Sequence, residues 1–432
     1  MSSDPGIIAP LADDAPARPW YRQVTTAQWR AFRAVFLSWI VASFDFNILA
    51  FVLIDIQRSF TVDRALAGAL GTVTLLMRLV GGTVAGTLAD RWGRKLPLML
   101  ALAWLSLFAC LSGLASSYTW LFALRALFGL GMGGVWAAGM PLVFEHWPTR
   151  LRGLVSGMML GGWYWGYLLA AAVFELVYPR FDTQAEWSWR VLLLCAALPA
   201  IFVPWIRRHV DESPVWLTRQ RQLHEARAAG QPREPALSLS RIFQPDLIVT
   251  TLQTTLVIGS FMCLYYAVNF WYPTFLRDAG HQVLPYLAVF NVGAIAGTTL
   301  WGWLSEGRLG RRGAATVTVL LGIASLPLYL HAKDPLLLGV GALCMGFFGM
   351  GIWGMAPAYT SERFPTEVRG VGPGFCYHAA AAFGALMPYL LGALQDRGFV
   401  LVDAMSIAMI ASGLAAMVIW LGPETRGREF TP

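Results

Sequence analysis

The stretch GTLADRWGRK, Gly86 to Lys95, separates two long apolar runs and gathers small residues, one carboxylate and three cations into a short loop. A connection this short between membrane spans, carrying Arg91, Arg94 and Lys95, is expected on the cytoplasmic side. The chain then repeats it: GWLSEGRLGRR, Gly302 to Arg312, has the same order of glycine, acid, glycine and paired cations, with one extra residue. A second pair of loops repeats as well, EHWPTRLRG from Glu145 to Gly153 and ERFPTEVRG from Glu362 to Gly370. Glu145 and Glu362, Arg152 and Arg369, and Trp136 and Trp353 all stand 217 positions apart. The repeat predicts two related halves of about six spans each.

Composition agrees. Of 432 residues, 56% are hydrophobic and only 13% charged, with a mean hydropathy of +0.55. Soluble domains run nearer a quarter charged, so the chain reads as an integral membrane protein. The net charge of +7 raises nucleic-acid binding as a reading, but the cations sit in short loops beside apolar spans, which is how a membrane protein is oriented. Cys110, Cys195, Cys263, Cys344 and Cys376 fall inside expected spans without metal-ligand spacing and read as free thiols. No metal, cofactor or nucleophile–base pair is expected, and the chain does not read as an enzyme.

These motifs carry a family resemblance. G-x-x-x-D-R-x-G-R-K between the second and third spans resembles the signature loop of the major facilitator superfamily. Arg125-x-x-x-Gly129-x-Gly131-x-Gly133 resembles that superfamily's fourth-span motif. The run WYRQVTTAQWRAF from Trp20, followed by Phe44-Asp45-Phe46, is similar to the sialate and lactate: proton symporter group within it. The resemblance implies an all-α fold of twelve transmembrane helices in two pseudo-symmetric six-helix bundles. It also implies transport by alternating access.

The chain divides accordingly. Residues 1–28 read as a cytoplasmic tail plus an interfacial helix at Trp20 to Phe32, 29–206 as the first bundle and 207–245 as a cytoplasmic linker. Residues 246–422 form the second bundle and 423–432 a cytoplasmic tail. The outer loops hold only Arg58, Arg64, Arg180, Arg190, Arg277, Lys333 and Arg397. Apart from Arg78 and Arg125 inside spans, the other cations lie in segments assigned to the cytoplasm, which sets both termini inside. The expected location is a bacterial inner membrane, and the chain is expected to act as a monomer. RRHVDESPVWL after the sixth span and PETRG at Pro423 resemble conserved sugar-porter runs, but both are cytoplasmic and are read as structural.

A charge at mid-bilayer costs about 2.5–3.5 kcal/mol on insertion scales and marks a candidate site. Asp45 lies roughly 16 Å into the first span. It reads either as the proton carrier or as a fixed ion-pair partner of Arg78 or Arg125. Arg78 shares its helix face with Gly71, Thr74, Gly81, Gly82 and Ala85, so it points at protein or a cavity, and its planar fork suits a carboxylate. Arg125 is a second candidate for substrate contact, with a coupling role as the alternative. His378 reads as a proton relay or as a neutral donor in a helix contact. Tyr265 and Asn269 share one face of the seventh span. With Trp136, Trp353 and Tyr377 they are the candidate pocket lining. Related carboxylate symporters carry Gly-Gly-Glu in the fourth span, where this chain has Gly133-Gly134-Val135. They carry Tyr-Asn-x-Gly-Arg in the eleventh, where it has Tyr377-His378-Ala379-Ala380-Ala381.

The gate residues are expected to be Asp90, Arg94, Glu145, Arg152, Glu306, Glu362 and Arg369. The resemblance places Asp90 at the positive N-terminal end of the eleventh helix and Glu306 near Arg152 and Gly153. The functional expectation is a secondary active transporter that moves a small organic anion, of monocarboxylate or sugar-acid type, together with protons. The alternatives are a neutral sugar or drug carrier of the same fold and a non-transporting sensor. The topology makes a direct prediction: an Asp182→Cys variant reacts with an impermeant thiol reagent outside intact cells, whereas Gln231→Cys does not. Outside labelling of Gln231→Cys would overturn the twelve-span arrangement.

Overall fold

The computed structural model describes residues 20–62, 64–180, 185–195, 202–229 and 239–430. Asp182, Gln231 and the segment Met1 to Pro19 lie outside them. The first half holds α1 (Thr26–Phe51), α2 (Arg64–Trp92), α3 (Lys95–Gly113), α4 (Tyr118–His146), α5 (Arg152–Val177) and α6 (Ala185–Cys195). The second holds α7 (Ile248–Asn269), α8 (Val283–Leu304), α9 (Gly310–Ala324), α10 (Pro335–Cys344), α11 (Val371–Gly384) and α12 (Leu401–Ala415). Among the described residues, nine helical stretches are long and apolar enough to cross a membrane. Of the other three expected spans, the described part of the sixth is α6 and Phe202–His209, while α9 is interrupted and resumes as Leu326–Leu330, and α11 resumes as Met387–Asp396.

Local chemistry sets the boundaries. Thr25 starts α1 with a capping box, its Oγ1 accepting from the Gln28 amide while the Gln28 side chain accepts from the Thr25 amide. That cap explains a departure from expectation. The stretch expected as a separate interfacial helix is a single turn, Trp20–Arg22, followed directly by the long α1. The linker likewise contains a helix, Pro214–Ala228. Outward-facing Leu100, Leu107, Leu320 and Leu414 are exposed, which suits a lipid surface.

Two seams join the halves. In one, α5 meets α8 through Gly153, Gly157 and Gly302; in the other, α2 meets α11 through Gly86 and Gly370. A Cβ on Gly157 would lie 2.1 Å from the Thr298 carbonyl oxygen, so only a residue without a side chain lets the backbones approach this closely. Both seams lie towards the end that carries the basic loops, so the halves are closed together there. Gly157→Ala should therefore lower thermal stability, because forced overpacking costs about 1–3 kcal/mol. Gly68→Ala, whose Cβ would meet nothing within 4 Å, should hold or raise it through helix propensity. Thermal unfolding of the purified variants measures both, and equal behaviour would show that the seam yields freely.

Candidate functional site

Where the two halves face each other at mid-depth, Trp39, Arg78, Leu160, Trp163, Tyr164, Met262, Tyr265, Tyr266, Trp353, Tyr377 and Ala381 line a cavity. Seven of these eleven side chains are aromatic, and one is a cation. Arg78 is 3% exposed, and its Nε and Nη2 have no hydrogen-bond partner. Rings take the place of a counter-ion: its Cζ lies 4.9 Å from the centroid of Tyr377, 5.5 Å from Trp39 and 5.9 Å from Trp163. Such contacts stabilise a desolvated cation by about 2 kcal/mol or more, yet leave the fork's hydrogen-bonding capacity free. The fourth-span glycines help to place it. A Cβ on Gly133 would meet the Arg78 carbonyl oxygen at 2.2 Å, so α2 lies close against α4 at this residue.

Asp45 has a different setting. Its Oδ2 accepts from Arg125 Nη1 at 2.8 Å, with both side chains fully buried, and Asp45 Oδ1 and Arg125 Nε and Nη2 have no partner. Of the two cations considered for Asp45, it is Arg125 that pairs with it. That pair does not line the cavity, and Arg125 lies 5.0 Å from the Phe128 ring.

The other candidates separate. Tyr265, Trp353 and Tyr377 line the cavity, and Tyr265 accepts a hydrogen bond from Trp163 Nε1 at 3.2 Å across the halves. Trp136 backs it, stacked on Tyr377 with centroids 3.8 Å apart. Asn269 is not on the wall; its amide donates to the Tyr265 carbonyl at 3.0 Å. His378 packs in the α2–α11 seam, with Nε2 3.3 Å from the Gly133 carbonyl oxygen. Sequence reasoning missed Trp39, Arg78's ring neighbour, and Tyr266. An aromatic in an apolar helix gives no signal of the face it occupies.

The residues expected at the gate form two matching clusters. Asp90 accepts from the Gly370 and Val371 amides, at 2.8 and 2.9 Å, at the start of α11. Arg94, fully buried, reaches Asp90 at 2.7 Å, Glu145 at 3.2 Å and the Thr366 carbonyl at 3.2 Å. Glu145 also accepts from Arg369 of the other half at 3.1 Å. In the second half Arg311 reaches Glu306 and Glu362, both at 2.8 Å, and Glu306 accepts from the Gly153 amide. Burial pushes Arg369 down to about 10, against the pull of Glu145. Arg152 contacts the C-terminal tail: it donates to the Arg428 carbonyl at 2.7 Å, and the Phe430 ring lies 3.5 Å from its Cζ and 3.8 Å from that of Arg369.

Arg311 and the capping acids were not singled out in the sequence. Glu212 accepts from the Arg94 and Lys95 amides at the start of α3, and Glu424 from the Arg311 and Arg312 amides at the start of α9. Ser213 and Thr425, each next in sequence, donate to Glu145 and Glu362. The signal was the matched Glu-Ser and Glu-Thr after each half's last span, within the two runs read as structural.

The model of the Major Facilitator Superfamily matches residues 35–377. The chain belongs to this family. A probable 4-methylmuconolactone transporter of Cupriavidus pinatubonensis (strain JMP 134 / LMG 1197) is 33% identical over 414 residues, covering 94% of this chain and 93% of that one. The sialic acid transporter NanX of Escherichia coli (strain K12) is 29% identical, over 87% and 89% of the two chains. The niacin transporter NiaP of Acinetobacter baylyi (strain ATCC 33305 / BD413 / ADP1) is 28% identical, over 91% and 93%. Among solved structures, the proton:xylose symporter XylE bound to 6-bromo-6-deoxy-D-glucose superposes with a TM-score of 0.78 at 17% identity, covering 94% of this chain and 98% of that one. That likeness extends to the fold.

For this member of the superfamily, Asp90→Asn is expected to leave membrane insertion near normal and to cut transport. It weakens a carboxylate–helix contact worth up to about 2 kcal/mol when partly buried. Transport assays alongside surface expression check this, and normal transport would reduce the loop to an orienting signal.

Proposed function

We propose that this protein is a proton-coupled symporter of small organic anions, working by alternating access between its two halves. One observation carries the reading: a buried guanidinium with two free donors stands in an aromatic cavity between the halves. An isolated buried cation is unfavourable, and a carboxylate placed on Arg78 supplies both the charge and the two hydrogen-bond acceptors it lacks. The names of the relatives support the same class, since muconolactone, sialic acid and niacin are acids or derived from them. The basic end faces the cytoplasm on the positive-inside pattern, both termini lie there, and the membrane is a bacterial inner membrane. The gate clusters at that end then hold the closed inner face, and must part for release. The chain acts as a monomer and carries no enzymatic activity.

Asp45 is the proton site. A carboxylate joined to Arg125 by a single hydrogen bond, with one oxygen unpartnered, loses that attraction when it takes a proton. The change in charge is thus coupled to the packing of α1 against α4. His378, wedged in the α2–α11 seam, is the second titratable group at the moving interface, and Arg125 acts through Asp45.

Uptake of a labelled monocarboxylate panel into proteoliposomes, with and without an inward proton gradient, tests the class. Asp45→Asn fixes the neutral form. It is expected to abolish gradient-driven net uptake while exchange of labelled for unlabelled substrate continues, because exchange needs no deprotonated return step. If Asp45 serves only to hold Arg125, its loss strands a buried cation at a cost on the order of 3–5 kcal/mol. Expression, uptake and exchange would then fall together. Arg78→Lys, which keeps the charge and loses the fork, is expected to weaken apparent affinity without moving the pH dependence.

A further inference from the structure

We infer that the cavity selects flat carboxylic acids that carry a second hydrogen-bond acceptor, and that Trp353 is the specificity residue that reads this acceptor from the half opposite Arg78. The inference rests on the reading of Arg78 as the carboxylate partner and goes beyond it to the rest of the ligand.

The fully buried polar atoms of the wall that lack a partner are of one kind. Arg78 keeps Nε and Nη2 free, Trp353 keeps its indole Nε1 free at 4% exposure, and Trp39 keeps its Nε1 free at 0%. All are donors. A buried donor left without a partner is costly, so the cavity favours a molecule that brings acceptors. The remaining polar groups on the wall are tyrosine hydroxyls, and that of Tyr265 already accepts from Trp163. No carboxylate or side-chain amide is among the lining residues. A polyhydroxylated acid would bring several O–H donors into a wall whose oxygen acceptors are tyrosine hydroxyls alone, and each one left unmatched opposes binding. A conjugated acid brings none, and its plane can stack on the rings of Trp163, Tyr266 and Tyr377.

The backbone sets Trp353 apart. After α10 the chain passes through a π turn, Met345–Gly349, and a 3-10 turn, Gly351–Met355, before helix resumes at Ala356–Arg363. Such departures from the α-helix are frequent at functional sites, and Trp353 sits within this one. The Tyr377 ring neighbours both recognition points, 4.9 Å from the Arg78 Cζ and 6.2 Å from the Trp353 centroid. Arg78 belongs to the first half and Trp353 to the second. A ligand with two separated acceptors therefore hydrogen-bonds to both halves across the cavity, whereas one with a lone carboxylate hydrogen-bonds only to the first and meets the second through stacking alone. The second acceptor thus serves specificity and closure at once.

Three isosteric probes separate the contributions: benzoate, pyridine-3-carboxylate and pyridine-4-carboxylate share one shape and differ in a ring acceptor. Glucuronate serves as the polyhydroxylated acid. Binding to the purified full chain in lipid nanodiscs at fixed pH is read by calorimetry. Wild type is expected to bind at least one pyridine carboxylate about fivefold or more tighter than benzoate, the size of one net hydrogen bond, and to bind glucuronate weakest. W353F, which keeps the ring and removes the donor, is expected to bring the pyridine-to-benzoate ratio towards one. W353Y, which restores a donor, is expected to recover part of it. A wild-type ratio of one, a ratio that survives W353F, or glucuronate binding as tightly as the flat acids would overturn the inference and leave the carboxylate reading standing. Absence of binding by all four acids, or affinities indifferent to R78K, would overturn the carboxylate reading and this inference with it.

Discussion

Two fully buried arginines, Arg94 and Arg311, are the fixed points on which the closed end depends. Each guanidinium is held between an acid on its own loop, Asp90 or Glu306, and an acid at the end of the next hairpin, Glu145 or Glu362. A charge out of water is tolerable only when its donors and its partner's lone pairs are satisfied together. The clusters meet that demand by recruiting helix starts: Asp90 takes the amides of Gly370 and Val371 at the start of α11, and Glu306 takes that of Gly153 in the first turn of α5. Each half is thus completed by backbone from the other. The two bundles stay together at this end for an electrostatic reason as well as a packing one.

The same rule, applied at mid-depth, separates three intramembrane charges into two kinds. Arg125 and Asp45 satisfy each other in part, through one hydrogen bond. Arg78 is surrounded by rings and given no anion. A site built to stabilise itself would have placed a carboxylate there, as the loop cluster does around Arg94. The Arg78 fork is thus left with hydrogen-bonding capacity that the protein itself does not use.

The glycines link these two regions. Gly153, Gly157 and Gly302 let α5 and α8 touch backbone to backbone, and Gly86 does the same for α2 against α11. Close seams at one end leave the aromatic cavity between the halves at mid-depth. His378 fills the α2–α11 seam beside Gly82 and Gly133, in contact with both halves. The C-terminal tail adds a further tie, since Phe430 stacks between Arg152 of the first half and Arg369 of the second. The segment read from sequence as a cytoplasmic tail is therefore part of the closed end.

The sequence by itself determined the architecture. Hydrophobic length, the constant offset of 217 between Glu145 and Glu362 and the acid–glycine–cation loops suffice because a bilayer admits few arrangements and a duplication leaves its register in the chain. It also determined which charges matter, since a rare ionisable group in an apolar helix stands out in one dimension. Tertiary structure alone decided how those charges are partnered. Whether Asp45 faces Arg78 or Arg125, whether Asn269 reaches the wall, and which of many aromatics line the cavity all depend on helix rotation and crossing. In a helix apolar on every side, no amphipathic stripe records that rotation. The break after α10 was hidden for a related reason: its glycines suit close packing and irregular turns alike, and only the neighbours of Trp353 decide between them.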